Sequence, residues 1–474
     1  MTTPIPAADP AASGDLNAIV KNYDVRGLVG ETMTEPLVTA LGAATADELG
    51  LAGAEIVIGH DMRDSSPGFA AAFARGARTR GAHPVMLGLC STDMNYYASG
   101  VRNAAAAMFT ASHNPAAYNG IKISRAGAQG ISFDTGLSAI RDRAAVYLHE
   151  GIEPLEDAGE STLDVLSDYA QYLRSLVDLS AIRPLKIVVD AGNGMGGLTV
   201  PAVLGREAGL PKLPIEIVPM YFEPDGNFPN HEANPLDPKN LVDLQQRVVA
   251  EDADLGLAFD GDADRCFVVD ERGGAVSPSA VCAIVAAREI ARAGDEDAYI
   301  IHNLLTSRHV VETIEQLGAN PVRTRVGHSL IKAEMARTGA VFGGEHSAHY
   351  YFRDFWGADN GLLAAMHVLA EVGSASRRVS EIAAEQTPYV ASGEINSVVE
   401  DVPAAYERLV SAWGADTSVD ELDGLTFSFG GREWWWANVR PSNTEPLLRL
   451  NVEAADAETM ARVRDAALAL IRQD

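Results

Sequence analysis

Four short loops in this chain of 474 residues concentrate side chains that could do chemistry. In Thr110-Ala111-Ser112-His113-Asn114-Pro115 a serine follows the apolar run Ala104 to Phe109. Its loop is stopped by Asn-Pro, which holds the hydroxyl out where a substrate can reach it. Ser112 lacks the G-x-S-x-G elbow, and a histidine next to it in sequence is poorly placed to be its base, so a Ser-His-Asp hydrolase does not fit. In Asp260-Gly261-Asp262-Ala263-Asp264-Arg265, carboxylates at alternate positions of a tight turn can converge on one point. A hard divalent cation wants that arrangement, with Mg2+ the obvious candidate. The same stretch scans superficially as a calcium EF-hand with Glu271 at its last position, but Arg265 stands where glycine is needed and the flanks read as strands. An arginine so near the metal predicts that an anion such as phosphate shares the site.

In Gly343-Gly344-Glu345-His346-Ser347-Ala348-His349, a carboxylate and a hydroxyl between glycines and imidazoles suit recognition of sugar hydroxyls. Arg440-Pro441-Ser442-Asn443-Thr444-Glu445-Pro446 joins the strand-like runs Trp434 to Val439 and Leu447 to Val452. An arginine, hydroxyls, an amide and main-chain N–H groups in one bend make a phosphate cradle, to which Arg449 adds a second fork. Each loop taken singly reads equally well as an ordinary turn. Asp190-Ala191-Gly192-Asn193-Gly194-Met195-Gly196-Gly197 contains the G-x-G-x-x-G dinucleotide pattern, yet the following strand, Ile215 to Val218, ends in Pro219-Met220 instead of an acid that would hold a ribose. A structural turn fits better. Trp434-Trp435-Trp436 with Phe427 and Phe429 alternate as packing residues of strands.

The elements that must position these loops alternate. Short apolar runs such as 55–59, 84–87, 186–190, 255–259 and 299–301 are separated by segments with helical spacing at 66–80, 136–149, 240–250, 279–293 and 306–317. After Gln386 to Ser392 the pattern changes to paired strands with helices at 402–412 and 456–472. The fold class is α/β: similar α/β domains with mixed sheets at 15–158, 159–274 and 275–386, and a C-terminal α+β domain at 387–474, with 1–14 a loose tail. Acidic side chains number 65 against 37 basic, a formal charge of −28. Such a surface repels nucleic acid and anionic membrane, and no run reaches the ~18 apolar residues of a membrane helix. Cys90, Cys266 and Cys282 are scattered, which fits a reducing cytoplasm and excludes a disulfide framework or thiolate zinc site.

The order of the loops, one in each inferred domain, resembles the α-D-phosphohexomutase superfamily from about Asn22 to the C-terminus. Tyr23-Asp24-Val25-Arg26-Gly27 is similar to that family's N-terminal substrate-contacting motif, and Pro224-Asp225-Gly226-Asn227-Phe228-Pro229-Asn230-His231 to a segment of its second domain. Gly344-Glu345-His346-Ser347 followed by Tyr350-Tyr351-Phe352 is most similar to the phosphomannomutase/phosphoglucomutase branch; glucosamine-type members carry Gln where this chain has His346. The resemblance implies domains around a central cleft and reversible transfer of phosphate between the 1- and 6-positions of a hexose, mannose and also glucose. Ser112 would be carried as phosphoserine, Mg2+ would sit on Asp260, Asp262, Asp264 and Ser112 with Arg265 beside it, and a hexose 1,6-bisphosphate would be intermediate and activator. Tyr23, His328, Lys332, Glu345, Ser347, Arg440, Ser442, Asn443, Thr444 and Arg449 would contact substrate.

The acid/base pool by motif match is Lys122, Arg26, His349 and His328, with Lys122 or His349 physically preferable because arginine is a poor base. These basic groups are local, which is how so acidic a chain could hold a dianion. The alternatives are a phosphoglucosamine mutase and a phosphosugar-binding protein without turnover; a monomer or weak dimer is expected, with the cleft closing to keep water from the phosphoserine. Asp93-Met94 replaces a Thr-Pro found in many members, and Leu304 stands where some have a substrate-contacting lysine, which bears on substrate preference and leaves the reaction class intact.

Overall fold

The computed structural model describes residues 3–9, 14–295, 297–441 and 447–473, with 328 and 329 described by backbone alone. Among the described residues four sheets follow one another along the chain. The first has the strand order Val25–Leu28, Tyr118–Arg125, Ala105–Phe109, Glu55–His60, His83–Leu89, Ser161–Thr162. Its central strands run parallel and are apolar on both faces, as a strand covered by helices on either side must be. Its last strand lies beyond the boundary expected at 158, a two-residue pairing too short to leave a periodic signal.

The second sheet is ordered Ala275–Val276, Cys266–Asp270, Leu255–Phe259, Leu185–Asp190, Ile215–Met220, and the third Asn320–Thr324, Tyr299–Asn303, Phe342–Gly344, Tyr350–Phe352, Ala358–Asp359. Both mix parallel and antiparallel pairs. The C-terminal sheet is wholly antiparallel, built around Trp435–Pro441 and Leu447–Ala454, and is packed by the helices Val402–Trp413 and Ala457–Ile471. Trp434 and Trp435 are buried and Trp436 donates its indole N–H to Glu453, so this run is packing, as its alternation predicts.

One apolar core runs from the face of the first sheet under the helix Thr92–Arg102 through the second and third domains, whereas the C-terminal domain has its own. At the seam, Tyr97 of the first domain, Tyr172 of the second and Trp356 of the third meet ring to ring, with Tyr172 stacked on Trp356 at 5.3 Å. Residues 3–9 depart from the loose tail expected of them: Ile5 exchanges main-chain hydrogen bonds with Ile152 at 3.0 and 2.7 Å, and Ala8 N–H donates to Leu148 O at 2.9 Å. An Ala/Pro-rich composition gives no sign of such pairing.

Candidate active site

The buried strand Ala105–Phe109 delivers the chain through Thr110 to Ser112, His113 and Asn114 in the wall of a cleft of about 830 Å³. Ser112 lines this cleft with φ 49°, a left-handed backbone that a serine keeps only where its surroundings enforce it. Its N–H donates to Thr110 Oγ1 at 2.9 Å and its hydroxyl to Asp260 Oδ2 of the second domain at 2.8 Å. The two loops can approach so closely because of glycine: a Cβ on Gly261 would lie 2.4 Å from Ser112 O, and one on Gly194 would lie 2.6 Å from Gly261 O. Within the G-x-G-x-x-G pattern, Gly194 is thus the glycine that lies against the aspartate turn, while Gly197 lets the chain approach Phe222 O.

That turn closes the antiparallel pair Leu255–Phe259 and Cys266–Asp270, the strand flanks expected from sequence. One oxygen from each of Asp260, Asp262 and Asp264 lies within 4.8 Å of the others. Thr92 Oγ1 donates to Asp262 Oδ2 at 2.6 Å, Lys122 Nζ to Asp262 Oδ2 at 2.7 Å and to Asp264 Oδ2 at 2.5 Å, and Arg265 Nε to Asp260 Oδ2 at 2.8 Å. Asp262 Oδ1 and Asp264 Oδ1 are buried without a hydrogen-bond partner. Three carboxylates against Lys122 and Arg265 leave this cluster one negative charge in excess, and the orphaned oxygens are hard ligands, so the residues fit a divalent cation.

Burial pushes the Asp260 carboxyl up to about 7, with Arg265 opposing. Against burial, Lys122 holds Asp262 and Asp264 below their ordinary value. Lys122 is in turn held well above its usual range by these carboxylates despite its own burial, so it stands as an ammonium. Of the expected acid/base groups, Lys122 is thus already protonated. His349 stands in the cleft wall with Nδ1 3.1 Å from Ser347 Oγ, Nε2 3.9 Å from Asp264 Oδ1, and its ring stacked on Tyr351.

Tyr23 and Arg26 also line the cleft, Arg26 bridging Asn114 Oδ1 at 2.5 Å and Asp24 Oδ2 at 2.6 Å. Ser112, Lys122, Arg265, His349, Arg26 and Tyr23 therefore converge on one space. Other expected contacts stand back from it. Glu345 is 2% exposed, accepting from Tyr351 OH at 2.6 Å and from Asn303 Nδ2 at 3.1 Å. Lys332 is buried over the Tyr96 ring and pairs with Asp359 at 2.8 Å. Arg440 and Arg449 are directly opposed on neighbouring strands and share Glu394, at 2.9 and 3.3 Å. His328, as a side chain, and Ser442, Asn443 and Thr444 lie outside the described residues.

Sequence reasoning missed His113, Thr92, Tyr96 and Asp359. Arg265 Nη2 donates to His113 Nδ1 at 2.5 Å, and burial, then Arg265, holds this imidazole well below its usual value, so it is a neutral acceptor. Its Nδ1 is 3.2 Å from Ser112 Oγ, but that nitrogen's lone pair serves Arg265, which leaves the serine proton to Asp260. The adjacency of His113 to Ser112 was a usable signal; Asp359, in a two-residue strand far along the chain, gave none.

The chain matches the phosphoglucomutase/phosphomannomutase family in sequence: alpha/beta/alpha domain I over residues 17–145, domain II over 167–274, domain III over 278–389 and the C-terminal domain over 394–470. It is 38% identical to the phosphohexose mutases protein of Xanthomonas campestris over 94% of this chain and 96% of that one. It is 35% identical to the phosphomannomutase/phosphoglucomutase of Pseudomonas aeruginosa over 94% of each. A crystal structure of a phosphoglucomutase/phosphomannomutase family protein from Burkholderia thailandensis superposes with a TM-score of 0.84 at 30% identity, covering 96% of this chain and 98% of that one.

Proposed function

The chain belongs to the phosphoglucomutase/phosphomannomutase family and is a phosphohexomutase, and from that premise we propose that it interconverts the 1- and 6-phosphates of mannose, and of glucose, through a phosphorylated Ser112 and a hexose 1,6-bisphosphate. The observation that carries this reading is the placement of Ser112 Oγ between the three aspartates and the cluster Arg26, Lys122, Arg265 and His349, in a cleft with room for a hexose phosphate.

Asp260, Asp262, Asp264 and an oxygen on Ser112 would hold a divalent cation, Mg2+ by the hardness of the ligands, which supplies charge neutralisation to the transferring phosphoryl oxygens. The rest falls to the chain itself. A phosphoserine brings about −1.5 to −2 charges into the cleft, and Arg265, Lys122 and Arg26 are the cations that face it. As the sugar hydroxyl oxygen bonds to phosphorus and His349 accepts its proton, the bond from Ser112 Oγ to phosphorus breaks and its electron pair stays on Oγ, where the cations facing Ser112 offset the charge until the return transfer uses it. The bisphosphate so formed turns over in the cleft and its other phosphoryl group returns to Ser112 by the reverse step, with His349 giving the proton back.

Arg440 and Arg449, side by side on adjacent strands, supply bidentate donors for the phosphate that is not reacting. Glu345 stands behind the cleft wall, held by Tyr351 and Asn303, and is the carboxylate assigned to ring hydroxyls through the lone pairs that those two donors leave free. The test is Ser112→Ala: mannose 1-phosphate conversion should vanish while the folded state and cation binding persist, and wild-type protein exposed to a hexose 1,6-bisphosphate should carry one phosphate on Ser112. Full activity in Ser112→Ala would sink the proposal.

A further inference from the structure

In the mechanism above the same serine oxygen gives up a phosphoryl group and takes one back in every turnover, so its position must survive both events. The segment that carries it, 112–118, has no helical or strand pairing of its own to fix it before Tyr118. A single buried side chain from another loop does so. Arg63 is 1% exposed, and its guanidinium donates through Nη2 to Ser112 O at 2.9 Å and Asn114 O at 2.6 Å, and through Nη1 to Pro115 O at 2.8 Å and Tyr118 O at 3.0 Å. The remaining N–H, on Nε, goes to Asp61 Oδ2 at 3.2 Å. All five donors of the fork are used.

The fork is itself held. Asp61 is fully buried, and its other oxygen accepts from Arg63 N–H at 3.0 Å and Ser66 Oγ at 2.6 Å. From the second domain, the Phe228 ring covers the guanidinium at 5.2 Å, and Gly226 lets that loop in, since a Cβ there would lie 2.6 Å from Arg63 Cα. Converging carbonyl oxygens repel one another without a cation among them, and no other side chain carries enough donors in fixed planar geometry to satisfy four of them. The left-handed turn at Ser112 is thereby enforced from behind, on the side away from the cleft.

We infer that Arg63 is a positioning residue of the phosphoryl transfer: through the carbonyls of the 112–118 segment it sets where Ser112 Oγ stands, without touching substrate. The inference rests on Ser112 being the phosphoryl carrier. Arg63→Lys keeps the charge but replaces the planar fork by three donors on one atom, so the loop loses its registration while the binding groups of the cleft stay in place. Misplacement of a reacting atom by about 1 Å costs on the order of 100-fold in rate, and a drop of about 30- to 100-fold in kcat with KM for mannose 1-phosphate within about threefold is expected.

The deciding measurement is the single-turnover rate constant for phosphorylation of Ser112 by a hexose 1,6-bisphosphate, because a first-order constant does not depend on the fraction of molecules folded. It should fall by the same factor as kcat. An unchanged constant in Arg63→Lys overturns the inference. If that variant does not fold, Asp61→Asn, which frees the far end of the fork, should lower the constant several-fold with KM unmoved, and an unchanged constant there overturns it too. Wild-type protein that takes no phosphate at all would overturn the phosphoserine reading and with it this one.

Discussion

Asp93 is a carboxylate with no sequence explanation, and its burial makes a stability prediction. It is 0% exposed in the seam beside the cleft, where Ser91 Oγ, the Met94 N–H and the Tyr169 hydroxyl of the second domain all donate to it, and it has no ion-pair partner among the described residues. Burial pushes its carboxyl from 3.8 up to about 7, with Ser91 and Tyr169 opposing. The unfolded chain releases this proton near the ordinary value and the folded chain keeps it until near neutrality, so over that interval the folded state binds more protons and stability falls as pH rises. A shift of about three units corresponds to about 4 kcal/mol. Asp93→Asn keeps the shape and removes the titration. Denaturant unfolding followed by circular dichroism for both proteins, from about pH 4 to about pH 8, should show the wild type losing up to about 4 kcal/mol relative to the variant. Titration of Asp260, raised in the same direction, is common to both proteins and cancels in the difference. Two stability curves that run parallel across this range would refute the reasoning.

Lys122→Met removes the ammonium that competes for Asp262 and Asp264, so calorimetric titration should show divalent-cation affinity rising about tenfold, or ~1.4 kcal/mol, while turnover falls. Tyr351→Phe deletes a hydrogen bond to the buried Glu345 carboxylate. Hydrogen bonds to charged groups contribute about 1.5–3 kcal/mol to stability, so denaturant unfolding should show the variant less stable by about that much, with KM for the hexose phosphate raised as Glu345 loses its fixed orientation. Gly361→Ala places a Cβ 2.7 Å from the main-chain carbon of Arg265, so the helix Gly361–Ser374 must back away from the aspartate turn. Overpacking of this kind costs about 1–3 kcal/mol, visible as a lowered melting temperature together with weaker cation binding.

Much of this site was legible because the chemistry sits in contiguous loops at strand ends, where spacing and composition survive in one dimension. The aspartate turn needed only its alternate carboxylates and strand-like flanks; the structure adds the orphaned oxygens that make it a cation site. What sequence could not give is long-range partnership. Lys122 reads as a member of the acid/base pool and is a buried ammonium because a turn 140 residues later places two carboxylates on it. Lys332 and Glu345 read as substrate groups, yet each spends its first contacts on a neighbour, Asp359 for one and Tyr351 with Asn303 for the other. Arg63, in a loop with no catalytic signature, is separated from Ser112 by 49 residues of chain and touches it only in the fold.

The same partnerships determine which part of the molecule can move. The three aspartates of the second domain are bonded across domain boundaries: Ser112 and Thr92 of the first domain bond Asp260 and Asp262, Lys122 of the first pairs with Asp262 and Asp264, and Asp264 faces His349 of the third. Separating these domains would strand buried carboxylates and expose the apolar core that they share, each of which costs several kcal/mol. The C-terminal domain is different. Its core is its own, and its described polar contacts with the third domain are mixed: Arg323 with Asp420 is at the surface and the Val326 N–H to Asp423 is half-buried, while the Arg308 N–H donates to the buried Glu453 and Arg308 covers the Trp434 ring. An exposed pair such as Arg323 with Asp420 is exchanged for water at a cost of ~1 kcal/mol or less, so Glu453 is the buried carboxylate that a movement of this domain would have to release or carry with it. On the proposed mechanism a phosphoserine has to be shielded from water during transfer and a bisphosphate has to have room to turn between transfers, so the cleft is expected to change its opening within one cycle. The first three domains share one apolar core and bond one another's buried carboxylates, whereas the domain that carries Arg440 and Arg449 has its own core, and it is therefore the one expected to open and close.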